Sequence, residues 1–452
     1  MTLKPMQWNT VSPAPVWLTS RRFWLSPVFF AVLGVALALF ALYLLWRSKK
    51  TRNKQKREQA EKALLSLLSH ALFEKPLSLP ENTDFEAVLR LAERHMVFGV
   101  VSEALGSLSE DALPRDLLLE LQEKTVTLLR QNARLTRCRA HLCDFLKEQS
   151  IPAAILKGDS VATLYPIPEL RVAGDIDCLL SEKDLPEAIG FLEAHSFAMV
   201  EKDGEHHVVL KKGGVMIELH RAVSGLPQGP VGARIRELLA DTLATAKTAA
   251  IEGKSFPVPD AFHQGLILLL HMQQHMREGG LGLRQVCDWA LFVAKDLTKE
   301  ATPPLLEVLR EVGLLRFAET VTMGAVRHLG LPPERSPFKS GDIALADALF
   351  TDFLASGNFG NGNLDFTGSA TVTLNREKGK GALSTAVSSV SGKCKREWPI
   401  SAKHPSLLLF FVPFWVIRRV LRSPTRPLSM LRSAGKRGKL YDKLELFSSE
   451  KK

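Results

Sequence analysis

The stretch Gly174-Asp175-Ile176-Asp177-Cys178-Leu179-Leu180 sets two carboxylates two residues apart inside an otherwise apolar run. In a strand, residues i and i+2 point to the same face. Asp175 and Asp177 therefore stand side by side at the edge of a core. Two unpaired carboxylates there are costly, because each loses water and repels the other. A divalent cation removes that cost, and hard oxygen ligands of this kind suit Mg²⁺ together with the phosphates of a substrate. For an isolated Asp-x-Asp, a strand end with solvated or salt-bridged carboxylates is the better reading. The flanking sequence changes the balance.

Upstream, Ile151–Leu156 reads as a short apolar strand that ends at Lys157-Gly158 and opens a helix through about Leu164. Gly158 lets the backbone approach an anion, the new helix N-terminus favours one, and Lys157 adds positive charge. Tyr165-Pro166 ends that helix, and a loop carrying Arg171 leads to Asp175. Arg171 either clamps a phosphate or braces the Asp loop. Ser181-Glu-Lys-Asp184 reads as a capping box for an amphipathic helix to about His195. Residues 197–202 and 206–211 flank Asp203-Gly204 as a hairpin, and Gly213-Gly214 makes a second turn. Val215–His220 is then a third strand, with Glu218 and His220 on one face. Three carboxylates on adjacent strands are what phosphoryl or nucleotidyl transfer needs: two hold metal, and a third completes the site or takes a proton.

These residues carry a resemblance. Residues 151–290 resemble the nucleotidyltransferase superfamily with the DNA polymerase β-like fold, and within it the branch known only as an uncharacterised nucleotidyltransferase family. The matching residues are Leu156-Lys157-Gly158, Tyr165-Pro166, Arg171, Gly174-Asp175-Ile176-Asp177 and Glu218-Leu219-His220. His271, His275, Leu283-Arg284, Asp288 and Gly357-Asn358-Phe359-Gly360 also match. The resemblance implies an α+β fold: a polymerase β-like nucleotidyltransferase sheet flanked by helical regions. It implies transfer of a nucleoside monophosphate from an NTP to an acceptor hydroxyl. Asp175, Asp177 and Glu218 would be the catalytic residues and the ligands of Mg²⁺. Lys157, Gly158 and Arg171 would contact the nucleotide. The acceptor, whether small molecule, envelope intermediate or protein, is not legible.

Several other groups have competing readings. The superfamily pattern has Gly or Ser where this chain has Asp159, and a negative charge is unwelcome beside a triphosphate. A second reading therefore stays open: a catalytically inactive member of the fold that acts as a membrane-tethered binding or assembly module. His206 and His207 lie on opposite faces of a strand and read as ordinary hairpin residues. His271 and His275, four apart on a helix, read as packing or substrate-side hydrogen bonding rather than zinc ligands. Arg284 and Asp288 read as a helix ion pair.

The ends of the chain carry most of its excess charge, 59 Lys plus Arg against 48 Asp plus Glu. Phe23–Trp46 is a 24-residue stretch without a charge, long enough for one N-terminal transmembrane helix. Trp17, Trp24, Tyr43 and Trp46 sit where an aromatic belt would. Seven positive residues follow it within 47–57, against three before it (Lys4, Arg21 and Arg22). That asymmetry puts residues 1–22 outside the cell and the body in the cytoplasm, anchored in the inner membrane. This is the side on which a nucleotide-using enzyme works. No aromatic-and-basic pattern accompanies the charge, so specific nucleic-acid binding is not expected. The five scattered cysteines form no disulfide or metal pattern.

Apolar spacing predicts a helical region over 58–150, with helices over Ala60–Leu72, Phe85–Leu105 and Asp116–Gln149. The catalytic core is expected over 151–227. A helical domain over 228–335 contains Pro259–Met276, Leu283–Lys295 and Pro304–Leu329. Residues 336–404 read as loop-rich. Residues 405–452 read as an apolar run, Leu407–Ile417, followed by a basic tail. That run is too short to span and suits either an interfacial helix beside anionic lipid or docking on the protein itself.

Overall fold

The computed structural model describes residues 27–108, 112–201, 207–227, 229–278, 280–358, 391, 394, 395, 397, 398, 400–422 and 437–445. The chain divides into two units, residues 1–59 and 60–452. The described part of the first unit is helical. It belongs to a helix, α1, bounded at Pro27–Phe73, whose residues 60–73 fall in the second unit. Among the described residues no helix is long and apolar enough to cross a membrane. The transmembrane helix expected over Phe23–Trp46 therefore gains no support from the described residues: 27–46 are helical, and 23–26 lie outside them.

In the second unit, α2 (Phe85–Arg94), α3 (Phe98–Gly106) and α4 (Arg115–Glu148) follow. The single helix expected over Phe85–Leu105 is two. The chain turns between them at Met96, whose φ of 57° lies in the left-handed region and cannot continue a helix. The sheet region runs β1 (Ala153–Ile155), α5 (Lys157–Ala162), β2 (Ile176–Leu180), α6 (Leu185–Ala194), β3 (Ala198–Glu201), β4 (His207–Lys212) and β5 (Val215–His220). The strand order is β1-β2-β5-β4-β3. Only β2 and β5 run parallel; the other pairs are antiparallel. The tip at Asp203-Gly204 and His206 lie outside the described residues.

Alternation along the strands decides what each face does. Ile176, Cys178 and Leu180 of β2, Val215, Ile217 and Leu219 of β5, and Val208 and Leu210 of β4 share one core with Leu135, Leu142 and Leu146 of α4 and Leu185, Ala188 and Leu192 of α6. The period of two therefore leaves Asp177, Glu218, His220 and His207 on the opposite face. The pairing brings Asp177 beside Glu218 and Leu179 beside His220.

The region 228–335 is not wholly helical. After α7 (Gly229–Leu238) comes an antiparallel hairpin, β6 (Lys247–Ile251) and β7 (Lys254–Val258). Glu252 (φ 51°) and Gly253 (φ 71°) make its two-residue turn, the geometry that matches strand twist. Ile251, Phe256 and Val258 join the sheet's core, and the Arg139 guanidinium lies 4.1 Å over the Phe256 ring. Then come α8 (Ala261–Glu278), α9 (Leu283–Leu291) with a π-turn over Phe292–Asp296, α10 (Thr302–Glu311) and α11 (Leu315–Leu329). The helix expected over Pro304–Leu329 is broken at Gly313 (φ 76°). These helices build a second, larger core around the fully buried Trp289, Phe292 and Phe317. Within 336–404, expected as loop, Ile343–Ser356 forms α12. Ile400–Lys403 forms α13, and the apolar run forms α14, Leu408–Arg422.

Candidate functional site

The polar face of the sheet opens on a cavity of about 240 Å³ lined on its other side by α8 and the start of α9. All six residues singled out as site candidates line it: Lys157, Gly158, Arg171, Asp175, Asp177 and Glu218. Asp175 sits one residue before β2 begins, and Asp177 lies within it.

Asp177 is the hub. Its Oδ1 accepts from Lys157 Nζ at 3.0 Å and from His220 Nε2 at 2.7 Å, and the carboxylate is almost fully buried. Burial alone would raise its pKa, but Lys157 and His220 outweigh burial and hold it well below the usual range. The same contacts raise Lys157 and His220 against the opposing effect of their own burial. His220 Nε2 also lies 3.3 Å from Glu218 Oε2. Among the described residues Asp175 has no such partner. Burial, then repulsion from Asp177 and Glu218, pushes it up to about 7. A buried carboxylate repelled by two others is the condition that a divalent cation relieves, so this donor set fits one.

The tightest possible metal group among the described residues is not the expected trio of carboxylates. It is His207, Glu218 and His220, whose donor atoms all lie within 4.8 Å of one another. His207, read from sequence as an ordinary hairpin residue, is opposite His220, with ring centroids 5.1 Å apart. A sequence signal for this existed. The two-residue turn Gly213-Gly214 pairs Lys212 with Val215, and counting back from there pairs His207 with His220.

Lys157 has φ 48°, a left-handed conformation that is strained for a side chain with a Cβ. It begins α5, and Leu156 N–H donates to the Asp177 carbonyl at 2.9 Å, tying this turn to the Asp strand. Asp159, the residue at odds with a phosphate site, faces away. Its carboxylate is buried 2.7 Å from Arg139 Nη1, and it does not line the cavity.

Arg171 braces the Asp loop. Its Nε and Nη2 donate to Asp288 at 2.8 and 2.7 Å, and the Tyr165 hydroxyl donates to the same carboxylate at 2.7 Å. The expected Arg284–Asp288 helix pair does not form, because Asp288 turns inward to Arg171. Arg171 Nη1 is left buried without an acceptor. His271 and His275 meet through Nε2 atoms 2.9 Å apart, one donating to the other. Burial drives both pKa values down, His275 to about 3, and both rings line the cavity. Asn358 of the Gly357-Asn358 motif accepts from Gln285 Nε2 at 2.9 Å. It thereby braces the start of α9, which the sequence alone had not explained.

With this geometry in hand, comparison with known proteins is direct. The model of a family described as uncharacterised nucleotidyltransferase matches residues 81–330, more than half of the chain. The chain belongs to this uncharacterised nucleotidyltransferase family. The matched range takes in the sheet, the cavity and the helices up to α11. No curated protein matches the chain. Among solved structures, the antibiotic-resistance factor ANT(2'')-Ia is similar at 14% identity and a TM-score of 0.28, over 42% of this chain and 92% of that one. An antigenic nucleotidyltransferase-like protein from Paracoccidioides brasiliensis is similar at 16% identity and 0.27, over 44% and 92%. At such scores neither likeness bears on what this member of the nucleotidyltransferase family acts upon.

Proposed function

We propose that this protein moves a nucleoside monophosphate from an NTP to an acceptor hydroxyl, with Mg²⁺ held by Asp175, Asp177 and Glu218. The observation that carries the reading is the parallel pairing of Asp177 with Glu218, with Asp175 lining the same cavity. A divalent cation bound there supplies charge neutralisation for the phosphates and the carboxylates that face them. The acceptor oxygen attacks the α-phosphorus, the bond to the bridging oxygen breaks, and pyrophosphate leaves. Glu218, half-buried at the cavity wall, takes the hydroxyl proton and returns it to solvent. Lys157 exchanges Asp177 for the phosphates, Arg171 stays on Asp288 and offers them its remaining Nη1, and Gly158 leaves room for them. The orientation of Asp159 toward Arg139 removes the charge that favoured an inactive fold.

The protein would work at the cytoplasmic face of the inner membrane, anchored by Phe23–Trp46, and an envelope-related acceptor suits that location. Support for the anchor comes from the uncharged stretch and the basic residues after it. Deletion of residues 1–57 should move the protein from the membrane to the soluble fraction. An unchanged distribution would reject the anchor.

The deciding experiment uses the full chain purified in mild detergent, titrated with each NTP with and without Mg²⁺ while thermal stability is followed. Stabilisation should require Mg²⁺, and should vanish together with turnover when Asp175→Asn and Asp177→Asn are combined. A folded protein that no NTP stabilises would shift the reading to a non-catalytic membrane-tethered module.

A further inference from the structure

Three cations line the cavity from different elements: Lys157, Arg171 and Arg284. Two are already engaged by carboxylates, Lys157 by Asp177 at 3.0 Å and Arg171 by Asp288 at 2.7 Å. Arg284 has no ion-pair partner among the described residues. Its Nη1 donates to the Val172 carbonyl at 3.1 Å, and its Nε is buried with no acceptor. A guanidinium held this way carries a charge that no carboxylate among the described residues meets in a direct ion pair. Such a group costs free energy unless a ligand supplies the missing acceptor.

We propose that Arg284 receives the polyphosphate of the substrate, opposite the carboxylates that hold the metal. This rests on the nucleotide-transfer reading above and adds a residue and a direction to it. Arg284 is the second residue of α9, a helix of nine residues that begins after the extended Gly282. The positive end of the helix dipole and the guanidinium thus act together on an anion. The planar fork of Arg matches phosphate oxygens two at a time, and its weak hydration makes burial tolerable. The helix start is fixed from outside by Gln285 donating to Asn358 at 2.9 Å, so the charge is aimed before a ligand arrives. Burial, then the neighbouring Arg171, lowers the pKa of Arg284, and Asp288 and then Asp175 oppose them. Asp175 and Arg284 thus lie within each other's field without pairing. A metal-bound polyphosphate placed between them satisfies both, the metal meeting the carboxylate and the phosphate oxygens meeting the guanidinium.

The test measures binding of inorganic tripolyphosphate and of ATP, each with Mg²⁺, to the full chain and to Arg284→Gln and Arg284→Lys. Binding of Mn²⁺ alone is followed in parallel by electron paramagnetic resonance. Arg284→Gln should weaken both phosphate ligands by about 10- to 100-fold, the range of one charge-assisted hydrogen bond. Arg284→Lys, which keeps the charge and guards against a folding defect, should fall between. Mn²⁺ binding should be the same in all three. Equal phosphate affinity in Arg284→Gln would overturn the proposal while leaving nucleotide transfer intact. So would a loss of Mn²⁺ binding as large as the loss of phosphate binding, which would mark a structural role. A wild type that binds Mn²⁺ but neither phosphate compound would overturn the nucleotide reading and this inference with it.

Discussion

Arg171, in the loop before β2, and Asp288, in α9, form a two-pronged buried ion pair with N–O distances of 2.8 and 2.7 Å. It joins the loop that delivers Asp175 to the helix that carries Arg284. The Tyr165 hydroxyl donates a third hydrogen bond to the same carboxylate. The pair therefore fixes the distance between the two walls of the cavity.

Breaking that pair from one side should be expensive. Asp288→Ala leaves the Arg171 guanidinium buried without its carboxylate, and should cost about 3–5 kcal/mol of stability. Adding Arg171→Met to Asp288→Leu should recover most of the loss. Urea unfolding of the single and double variants measures this. Additive losses would mean that the two residues do not act on each other.

The unpartnered carboxylate has the opposite signature. The pKa of Asp175 is about 7 in the folded protein against 3.8 in the absence of its surroundings. Between those values the folded state holds a proton that the unfolded state has lost, so Asp175 erodes stability as pH rises through that window. Without metal, Asp175→Asn should be as stable as wild type near pH 4. Above pH 7 it should be more stable, by on the order of 2–4 kcal/mol. Added Mg²⁺ should stabilise wild type and not the variant. Parallel pH profiles for the two proteins, measured with a chelator present, would refute this account of Asp175.

The charge on Asp159 should be silent in binding. Its carboxylate is held by Arg139 beneath the sheet, away from the cavity. Replacing both together, Arg139→Met with Asp159→Leu, should keep Mg²⁺–ATP affinity within about twofold, because the two charges leave as a neutral pair. A change of tenfold or more in the folded double variant would show that this pair reaches the site.

The sequence made the parts of the site that lie close together along the chain legible, because strand periodicity puts Asp175 with Asp177, and Glu218 with His220, on one face of their own strands. That the Glu218 strand can lie next to the Asp strand was an expectation; the parallel pairing of Asp177 with Glu218 joins strands that no tight turn connects. Partnerships across the fold were harder. Asp288 has Arg284 four residues before it, where a helix ion pair is the default, yet its partner is Arg171, 117 residues away. Nothing local announces such a choice; it follows from which side of α9 faces the sheet. His207 is a different case. Along the chain its neighbour is His206, whereas the residue it faces, His220, lies across the ladder. The hairpin β6–β7 was missed because only Ile251, Phe256 and Val258 of its residues enter the core, too few to interrupt a helical reading of the surrounding region.

The Gly213-Gly214 turn acts as a ruler. Its length of two residues decides that His207, rather than either neighbour along β4, stands across from His220. Adding or removing one residue there would turn the other side of β4 toward the cavity, with every site residue still present in the sequence. A family member could thus lose this imidazole through a change in loop length alone, and a comparison that counts only matching residue types would not notice.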